Sequence, residues 1–550
     1  MPLRDRPFSI KKVHSFILYS QQRGIIERKR TDFSGKEADA VRFFRRIFSR
    51  VVLVSLGIAI QLAWLFYIVF YLSAYYLPIA FFFNLISLAA VIYIINRPGN
   101  PQVKMAWIVP ILVFPLFGGV IFLISGGKGP KKKLLRALDR SGELLKPYRK
   151  GTASPAAPSS REDEYLAGQC HYLDSRGFPA YENTSAAYYA DCRAGWERLL
   201  EDLRSAERFI FMEYFIVRRG VMWDPVLEIL KEKAAAGLDV RLIYDDVGSI
   251  SYVPRDYFKR LEAMGIRCFA FNRYKPVYAV VMNHRDHRKI TVIDGHISYT
   301  GGINFADEYI GEEIRFGEWK DNLLRLEGEA TRSMTLLFLE MWNAERPTDT
   351  AESVAAFLPD PARISSIRAD GYVQPYGDSP VDSEILAENV YLNIINQATR
   401  YVYIFTPYVV IDYEMTRALS LAARRGVDVR LVVPAIPDKK IVYHLGKSYF
   451  PELIENGVKV YRFTPGFVHS KVFLADDRQA VVGSINLDYR SLTLHFENAC
   501  MLVDHPILPA IKADFDETLP RCEEVTVRKR RFNVLYDLYL GLLRLLAPLL

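Results

Sequence analysis

The chain has 550 residues, a net charge of +8, and equal numbers of Phe and Tyr, 33 of each, in a composition that is half hydrophobic. That length exceeds what one compact domain holds, and a stretch of 45 residues from Val51 to Ile95 without one charge argues against an ordinary soluble protein. Five scattered cysteines (Cys170, Cys192, Cys268, Cys500 and Cys522) contain no C-x-x-C pair, which argues against a zinc site or a disulfide framework.

In chain order, residues 1–50 form a basic region in which Arg42, Arg45, Arg46 and Arg50 precede the first apolar run. Positive-inside counting places it in the cytoplasm. A membrane segment is expected over 51–127. The run from Val51 to Ile95 is long enough for two helical spans of about 20 residues with a turn near Ser73 to Pro78. A third uncharged run, Met105 to Ser125, is broken by Pro110, Pro115 and Gly118-Gly119, and is followed by Lys128, Lys131, Lys132, Lys133 and Arg136. Those cations also favour the cytoplasm, so three full spans fail to satisfy both counts. The expectation is a two-span hairpin with a re-entrant third run and the remainder of the chain on the cytoplasmic side.

Residues 128–165 read as a basic segment and linker, including the stretch GTASPAAPSS from Gly151 to Ser160. Basic clusters beside apolar runs suit an anionic lipid surface better than nucleic acid. Two repeats then follow, over 166–350 and 351–525. Phe209-Ile210-Phe211 precedes a helical stretch ending in AAAGLDVRLI (Ala234 to Ile243). Val402 to Phe405 precedes its counterpart, AARRGVDVRL (Ala422 to Leu431). Short apolar runs alternating with helical patterns predict β-α-β units and a largely parallel sheet in each half.

Each repeat carries the same short pattern, H-x-K-x4-D: His287, Lys289 and Asp294 in the first, His469, Lys471 and Asp476 in the second. Fourteen residues after each His stands a glycine (Gly301, Gly483), and seventeen after it an asparagine (Asn304, Asn486). One such pattern is compatible with a strand that merely begins with basic residues, but duplication with matched downstream spacing is not. Paired His, Lys and Asn suit chemistry on a phosphodiester. An imidazole can attack phosphorus or carry a proton, while Lys and Asn can hold anionic oxygens. Each motif is expected to be a strand starting at its His, with Lys289, Thr291 and Ile293 on the face of His287. Gly237 and Gly426 stand 189 apart but the histidines 182 apart, so the first half has about seven extra residues, assigned to Tyr274 to Met282.

Asp245-Asp246 is the nearest thing to a paired-acid metal site and reads as a turn at a strand end. No metal or cofactor is expected, since the lysines supply the positive charge. Glu213 is a lower-ranked candidate for the cleft wall. At the C-terminus, Arg528-Lys529-Arg530-Arg531 leads into residues 532–550, where Asp537 and Arg544 are the lone charges. Residues 526–550 are expected to form a helix in the membrane interface, the alternative being a helix that closes the catalytic core.

The motif tails, Gly301-Gly302-Ile303-Asn304 and Gly483-Ser484-Ile485-Asn486, resemble those of the phospholipase D superfamily. Thr406-Pro407-Tyr408, the stretch Ala422 to Pro434 and the stretch GSINLDYRSLTLHFE from Gly483 resemble bacterial cardiolipin synthases within it. The one departure is His495, where that family usually carries Asn. The resemblance implies an α/β fold of two phospholipase D-like repeats, with mixed, largely parallel sheets flanked by helices. The repeats would pack about a pseudo-two-fold axis after an α-helical membrane segment. It implies a multi-pass enzyme of the bacterial inner membrane that joins two phosphatidylglycerol molecules into cardiolipin and glycerol through a phosphatidyl-histidine. His287 would be nucleophile and His469 acid/base, with the pseudo-symmetry leaving the reverse open. Glu497, 28 residues past His469, would support that histidine, and Asp321, in Trp319-Lys320-Asp321, would support His287. Asp294 and Asp476 end the motifs and are expected to cap or pair locally. The implied partners are phosphatidylglycerol, other phospholipids and the membrane, not nucleic acid; a homo-oligomer is left open. Rival readings are a hydrolase using water, a nuclease of the same superfamily, and an inactive phosphatidic-acid-binding scaffold.

Overall fold

The computed structural model describes residues 76–114, 129–151, 161–273, 284–382, 384–527 and 533–549, with five positions between 59 and 67. The basic N-terminal region, most of the first expected span, most of the GTASPAAPSS linker, the extra residues at 274–282 and the 528–531 cluster lie outside them.

The first half centres on a seven-stranded sheet in the order β1-β9-β7-β6-β2-β3-β4. Its strands are β1 (Thr184–Tyr189), β2 (Phe209–Tyr214), β3 (Asp239–Asp245), β4 (Arg267–Phe271), β6 (Lys289–Ile293), β7 (Ile297–Gly301) and β9 (Leu323–Gly328). Two short strands, β5 (Arg285–Asp286) and β8 (Glu318–Lys320), leave this sheet. The second half repeats the plan with β10 (Tyr372–Asp378), β11 (Tyr401–Phe405), β13 (Asp428–Pro434), β14 (Lys459–Phe463), β16 (Val472–Ala475), β17 (Gln479–Gly483), β19 (His495–Val503) and β20 (Cys522–Glu524). The short strands β12 (Val409–Val410), β15 (Gly466–Val468) and β18 (Leu487–Asp488) pair outside its main run.

The sheets are mixed, but the expectation that they are largely parallel is corrected. Apart from the short strand β5 alongside β19, parallel pairing within them is confined to β2-β3-β4 and β11-β13-β14, where helical crossovers connect the strands. Each motif strand instead runs antiparallel to its neighbours and returns in a tight hairpin, β6 to β7 and β16 to β17. The hairpins turn through Asp294 and Gly295 at φ 52° and 80°, and through Asp476 and Asp477 at 56° and 60°. Two consecutive left-handed residues give a turn whose twist matches the strands it joins.

Helices cover the outer face of each sheet, burying Leu227, Leu230 and Leu242 in the first half and Val390, Leu419 and Leu431 in the second. A shared layer joins the halves, with Leu324 and Leu326 of β9 packed among Val373, Val482 and Leu502. Strands buried on both faces explain the continuous apolar runs in the sequence. Truncating one of these side chains to Ala would cost about 2–5 kcal/mol.

Two parallel strand pairs tie the halves together beside the motifs. β5, just before His287, pairs with the start of β19. β15, just before His469, pairs with β8. Each crossing strand therefore delivers a motif histidine to the other half.

Near the N-terminus the helices Tyr76–Ile95 and Pro101–Val113 pack through Val91, Ile94 and Ile111. Asn100 caps the second, accepting a hydrogen bond from the Gln102 amide, with Pro101 in the first turn. Among the described residues no helix is long and apolar enough to cross a membrane.

The reading of 128–165 as basic segment and linker needs correction. The helix Gly129–Leu145 buries Leu138 and Leu145 against the helix Thr331–Glu345; its leading lysines disguise an apolar stripe at helical spacing. The helix Arg161–Ser175 sends Leu166, Cys170 and Leu173 into the second half's core, although residues from 166 onward were assigned to the first repeat. At the C-terminus the helix Val534–Leu546 rests on the helices Pro101–Val113 and Lys440–Lys447 and leaves Val534, Leu535, Leu538 and Leu542 exposed.

Candidate active site

His287 and His469 stand where the crossing strands give way to the motif strands. The motif strands begin at Lys289 and Val472 rather than at the histidines, because the His backbones are engaged by the opposite half. The His287 amide donates to the Phe496 carbonyl at 2.9 Å, and the His469 amide to the Lys320 carbonyl at 2.7 Å. In each case the residue after the acceptor carries a carboxylate.

Glu497 places both oxygens 2.9 Å from His287 Nδ1. Asp321 places Oδ2 2.6 Å from His469 Nδ1. The expected pairing, Glu497 with His469 and Asp321 with His287, is therefore reversed. Spacing along one chain suggested an acid from the same half, whereas β5 and β15 cross over and each His takes its acid from the other.

A carboxylate can only accept, so each Nδ1 carries the proton and donates it, leaving Nε2 as the free lone pair. Burial, reinforced by Lys289, Lys471 and His469, holds His287 well below the usual imidazole range. Burial and Lys471, opposed by Asp321, push His469 down to about 4. Each histidine thus feels both motif lysines, which places the two motifs in one electrostatic neighbourhood. Both imidazoles are neutral near pH 7, the form a nucleophile needs. Burial also pushes Lys289 down to about 7 and Lys471 to about 8. Each ammonium donates to the carbonyl of its own motif histidine.

Other expected residues fall elsewhere. The Asp294 carboxylate accepts from the amides of Glu207, Arg208 and Phe209 at 2.7–2.9 Å. Asp476 does the same for Thr399, Arg400 and Tyr401 at 2.6–2.8 Å. Both pin a hairpin turn to the start of the neighbouring strand, at the far end of the motif strand from its histidine. Asn304 is buried, with Oδ1 accepting from the Ile216 amide and Nδ2 donating to the Tyr309 hydroxyl; this occupies most of the amide expected to grip phosphate. Tyr309 in turn packs edge-on to His469, ring centroids 5.4 Å apart. Asn486 is buried with Oδ1 unpartnered among the described residues. Asp245 caps the turn after β3 through the amides of Val247 and Gly248, as its reading as a turn residue expects. Glu213 is buried beneath the motif strand, 3.9 Å from Arg288. Burial and the neighbouring Asp286 push its carboxyl well above the usual range, and it lines the core, not the cleft.

Four further residues take parts that the sequence does not assign them. Ser484 donates to Glu497 Oε2 at 2.5 Å. Asn498 accepts from the Lys289 amide at 3.0 Å and donates to Thr300 at 2.8 Å, both in the opposite half. Asn322 donates across to Ser470. His495 lies against His287, ring centroids 5.5 Å apart. A signal for the asparagines was present: each supporting acid is followed by Asn, as Asp321-Asn322 and Glu497-Asn498.

Among the described residues, one group offers three donors to a metal ion: His287, His495 and Glu497, with ligand atoms within 4.8 Å of one another. Lys289 and Lys471, whose charges act on His287, oppose a cation there and favour an anion. The arrangement fits covalent transfer of an anionic phosphoryl group, with two imidazoles to attack phosphorus and move a proton.

The fold and the crossed His–acid pairs define an enzyme of the phospholipase D superfamily. A family model described as "Cardiolipin synthase, PLD-like domain" matches residues 199–323 and 391–519, and one described as "Phospholipase_D-nuclease N-terminal" matches 85–127. An uncharacterized protein of Streptococcus mutans is 43% identical, covering 84% of this chain and all of that protein. A cardiolipin synthase of Halalkalibacterium halodurans is 33% identical over 85% of this chain and 92% of its own. The cardiolipin synthase 2 of Bacillus anthracis is 32% identical, with 84% and 89% covered. Among solved structures, phosphatidylserine synthase of Haemophilus influenzae shares the fold at TM-score 0.50 and 16% identity, covering 69% of this chain and 98% of that one. The chain belongs to the cardiolipin synthase family.

Proposed function

We propose that this protein is a membrane-bound phosphatidyltransferase that makes cardiolipin from two phosphatidylglycerol molecules and releases glycerol. The observation that carries the reading is the pair of neutral imidazoles, each held by a carboxylate from the opposite half and flanked by Lys289 and Lys471. The names of the relatives from Halalkalibacterium halodurans and Bacillus anthracis support it.

In the first step, His287 Nε2 attacks the phosphorus of one phosphatidylglycerol. The bond from phosphorus to the headgroup oxygen breaks, His469 gives that oxygen a proton, and glycerol leaves. His469 must be protonated here, and Asp321 at 2.6 Å together with the arriving anionic phosphodiester supports that form. In the second step His469 takes the proton from a hydroxyl of a second phosphatidylglycerol. That oxygen attacks phosphorus, the phosphorus–nitrogen bond breaks, and His287 returns neutral. Glu497 steadies the charge that His287 carries as the phosphatidyl adduct. The two lysines balance the non-bridging oxygens.

The membrane reading rests on the uncharged helix Tyr76–Ile95 and the exposed apolar residues of the C-terminal helix, which follows the basic cluster at 528–531. It holds the chain in a bacterial inner membrane with a two-span hairpin and the catalytic part in the cytoplasm. A reporter fused after Lys133 that is active only outside the cell would refute this topology.

The activity is tested by giving purified protein labelled phosphatidylglycerol and resolving the products by mass. Cardiolipin with an equal amount of glycerol is the expected result. Phosphatidic acid alone would make the enzyme a hydrolase, and no lipid turnover would remove the reading altogether.

A further inference from the structure

His495 is the first residue of β19, and its side chain is 10% exposed. It packs against His287 and holds Nδ1 3.7 Å from Glu497 Oε1, too long for a hydrogen bond. Both ring nitrogens are buried and have no hydrogen-bond partner among the described residues. Buried polar groups are normally paired, and two orphaned atoms on one ring beside a reactive centre indicate a missing partner.

The chemistry of the ring says what that partner is. Burial, with Arg490 and His287 opposing the pull of Glu497, takes His495 down to about 3. The ring therefore stays neutral, with one N–H and one lone pair. The nearby Glu497 carboxylate keeps the proton on Nδ1, the nitrogen facing it, and so leaves the lone pair on Nε2. A lone pair requires a donor. The phosphodiester offers none, because its oxygens only accept. A free hydroxyl on the lipid headgroup does.

We propose that His495 is a specificity-determining residue whose Nε2 accepts a hydrogen bond from a free hydroxyl of the donor lipid's headgroup. The inference rests on the phosphatidyltransferase reading and extends it from the phosphate to the alcohol. It gives the site a preference for a polyol headgroup over one of equal length without free hydroxyls. Gln carries its amide oxygen at the ε position, as far along the side chain as the ring's Nε2, so His495→Gln keeps an acceptor, whereas His495→Phe keeps the ring and loses it.

The test uses the full-length protein in vesicles of phosphatidylglycerol containing a trace of one headgroup-deuterated donor, either phosphatidylglycerol or phosphatidylpropanol. The readout is the rate at which deuterated glycerol or deuterated propanol is released. The wild-type enzyme should prefer the glycerol lipid by about 10- to 100-fold in kcat/KM, the value of one buried hydrogen bond left unmade. His495→Phe and His495→Ala should collapse that ratio towards one, and His495→Gln should retain most of it. A ratio unchanged in both His495→Phe and His495→Ala overturns the proposal, whatever happens to the absolute rates. A wild-type enzyme that releases both headgroups equally also overturns it while leaving phosphatidyl transfer intact. Failure to release either one sinks the transferase reading itself.

Discussion

The two half-sites follow one plan and differ at the residue after the motif glycine, which is Ser484 in one half and Gly302 in the other. Ser484 braces Glu497 with a 2.5 Å hydrogen bond. At Gly302 a Cβ would lie 2.0 Å from Asp321 Oδ1, so the shorter acid occupies the space that a side chain would need. The longer acid has a hydroxyl behind it; the shorter one has bare backbone, and the Asn322 amide at 2.8 Å holds the same oxygen. In the proposed reaction, Glu497, held by His287 and Ser484, serves the imidazole that is bonded to phosphorus. The different setting of Asp321 suits one that serves two alcohols in turn. The duplicated motif thus stands in two different settings.

The largest test of that asymmetry is removal of either imidazole. His287→Ala and His469→Ala should each lower phosphatidylglycerol turnover by about 10³- to 10⁶-fold. Near-normal activity in either variant would mean that the halves do not share one site. Next comes the pair behind the acids. Gly302→Ala forces Asp321 aside and should cost about 100-fold in kcat, the effect of an ångström-scale misplacement. Ser484→Ala removes one brace and should cost about 10-fold. Equal losses in the two variants would erase the distinction between the half-sites.

The lysines give a test with a defined sign. Their pKa values in the folded chain, about 7 for Lys289 and about 8 for Lys471, lie below the ordinary value of 10.5. Folding therefore disfavours the charged form. The penalty is fully present below pH 7 and fades as pH rises from there towards 10.5. Lys289→Met should accordingly raise the Tm at pH 6, by about 2–4 °C for each kcal/mol relieved, with no gain at pH 11. For the wild-type enzyme, kcat/KM should fall as pH climbs through 7 and 8 and the lysines lose their grip on phosphate. A profile flat to pH 9.5 would contradict this. The smallest effect on chemistry belongs to Asp294→Ala, which frees three backbone amides. It should lower stability by about 1–3 kcal/mol in a denaturant titration, with activity per folded molecule largely kept.

Much of the site was legible because its chemistry is local in sequence. His287 and Lys289, like His469 and Lys471, are two residues apart, and the duplicated spacing survives whatever the fold does. The acids were found but assigned to the wrong partners. Counting from His469 to Glu497 takes both to act within one half, and no property of a linear chain reveals that β5 and β15 cross. The sheet direction was misread for a related reason. The β-α-β pattern around Ala234 and Ala422 does predict the parallel strands, but the hairpins at Asp294-Gly295 and Asp476-Asp477 reverse the strands that follow. Leucines of the helix Gly129–Leu145 stand behind its lysines, which make a core helix read as a basic segment. His495 stood out only as a departure from the family pattern; its two unpartnered nitrogens could be seen only in three dimensions.

The exchanged strands carry an implication for ancestry and for engineering. Either half alone would own a motif histidine with no acid to orient it and an acid with no histidine to serve. Two copies of a single ancestral half, associated about a two-fold, would have satisfied both needs before any gene fusion. Cutting the chain between the halves should therefore yield two inert pieces that regain activity only on re-association.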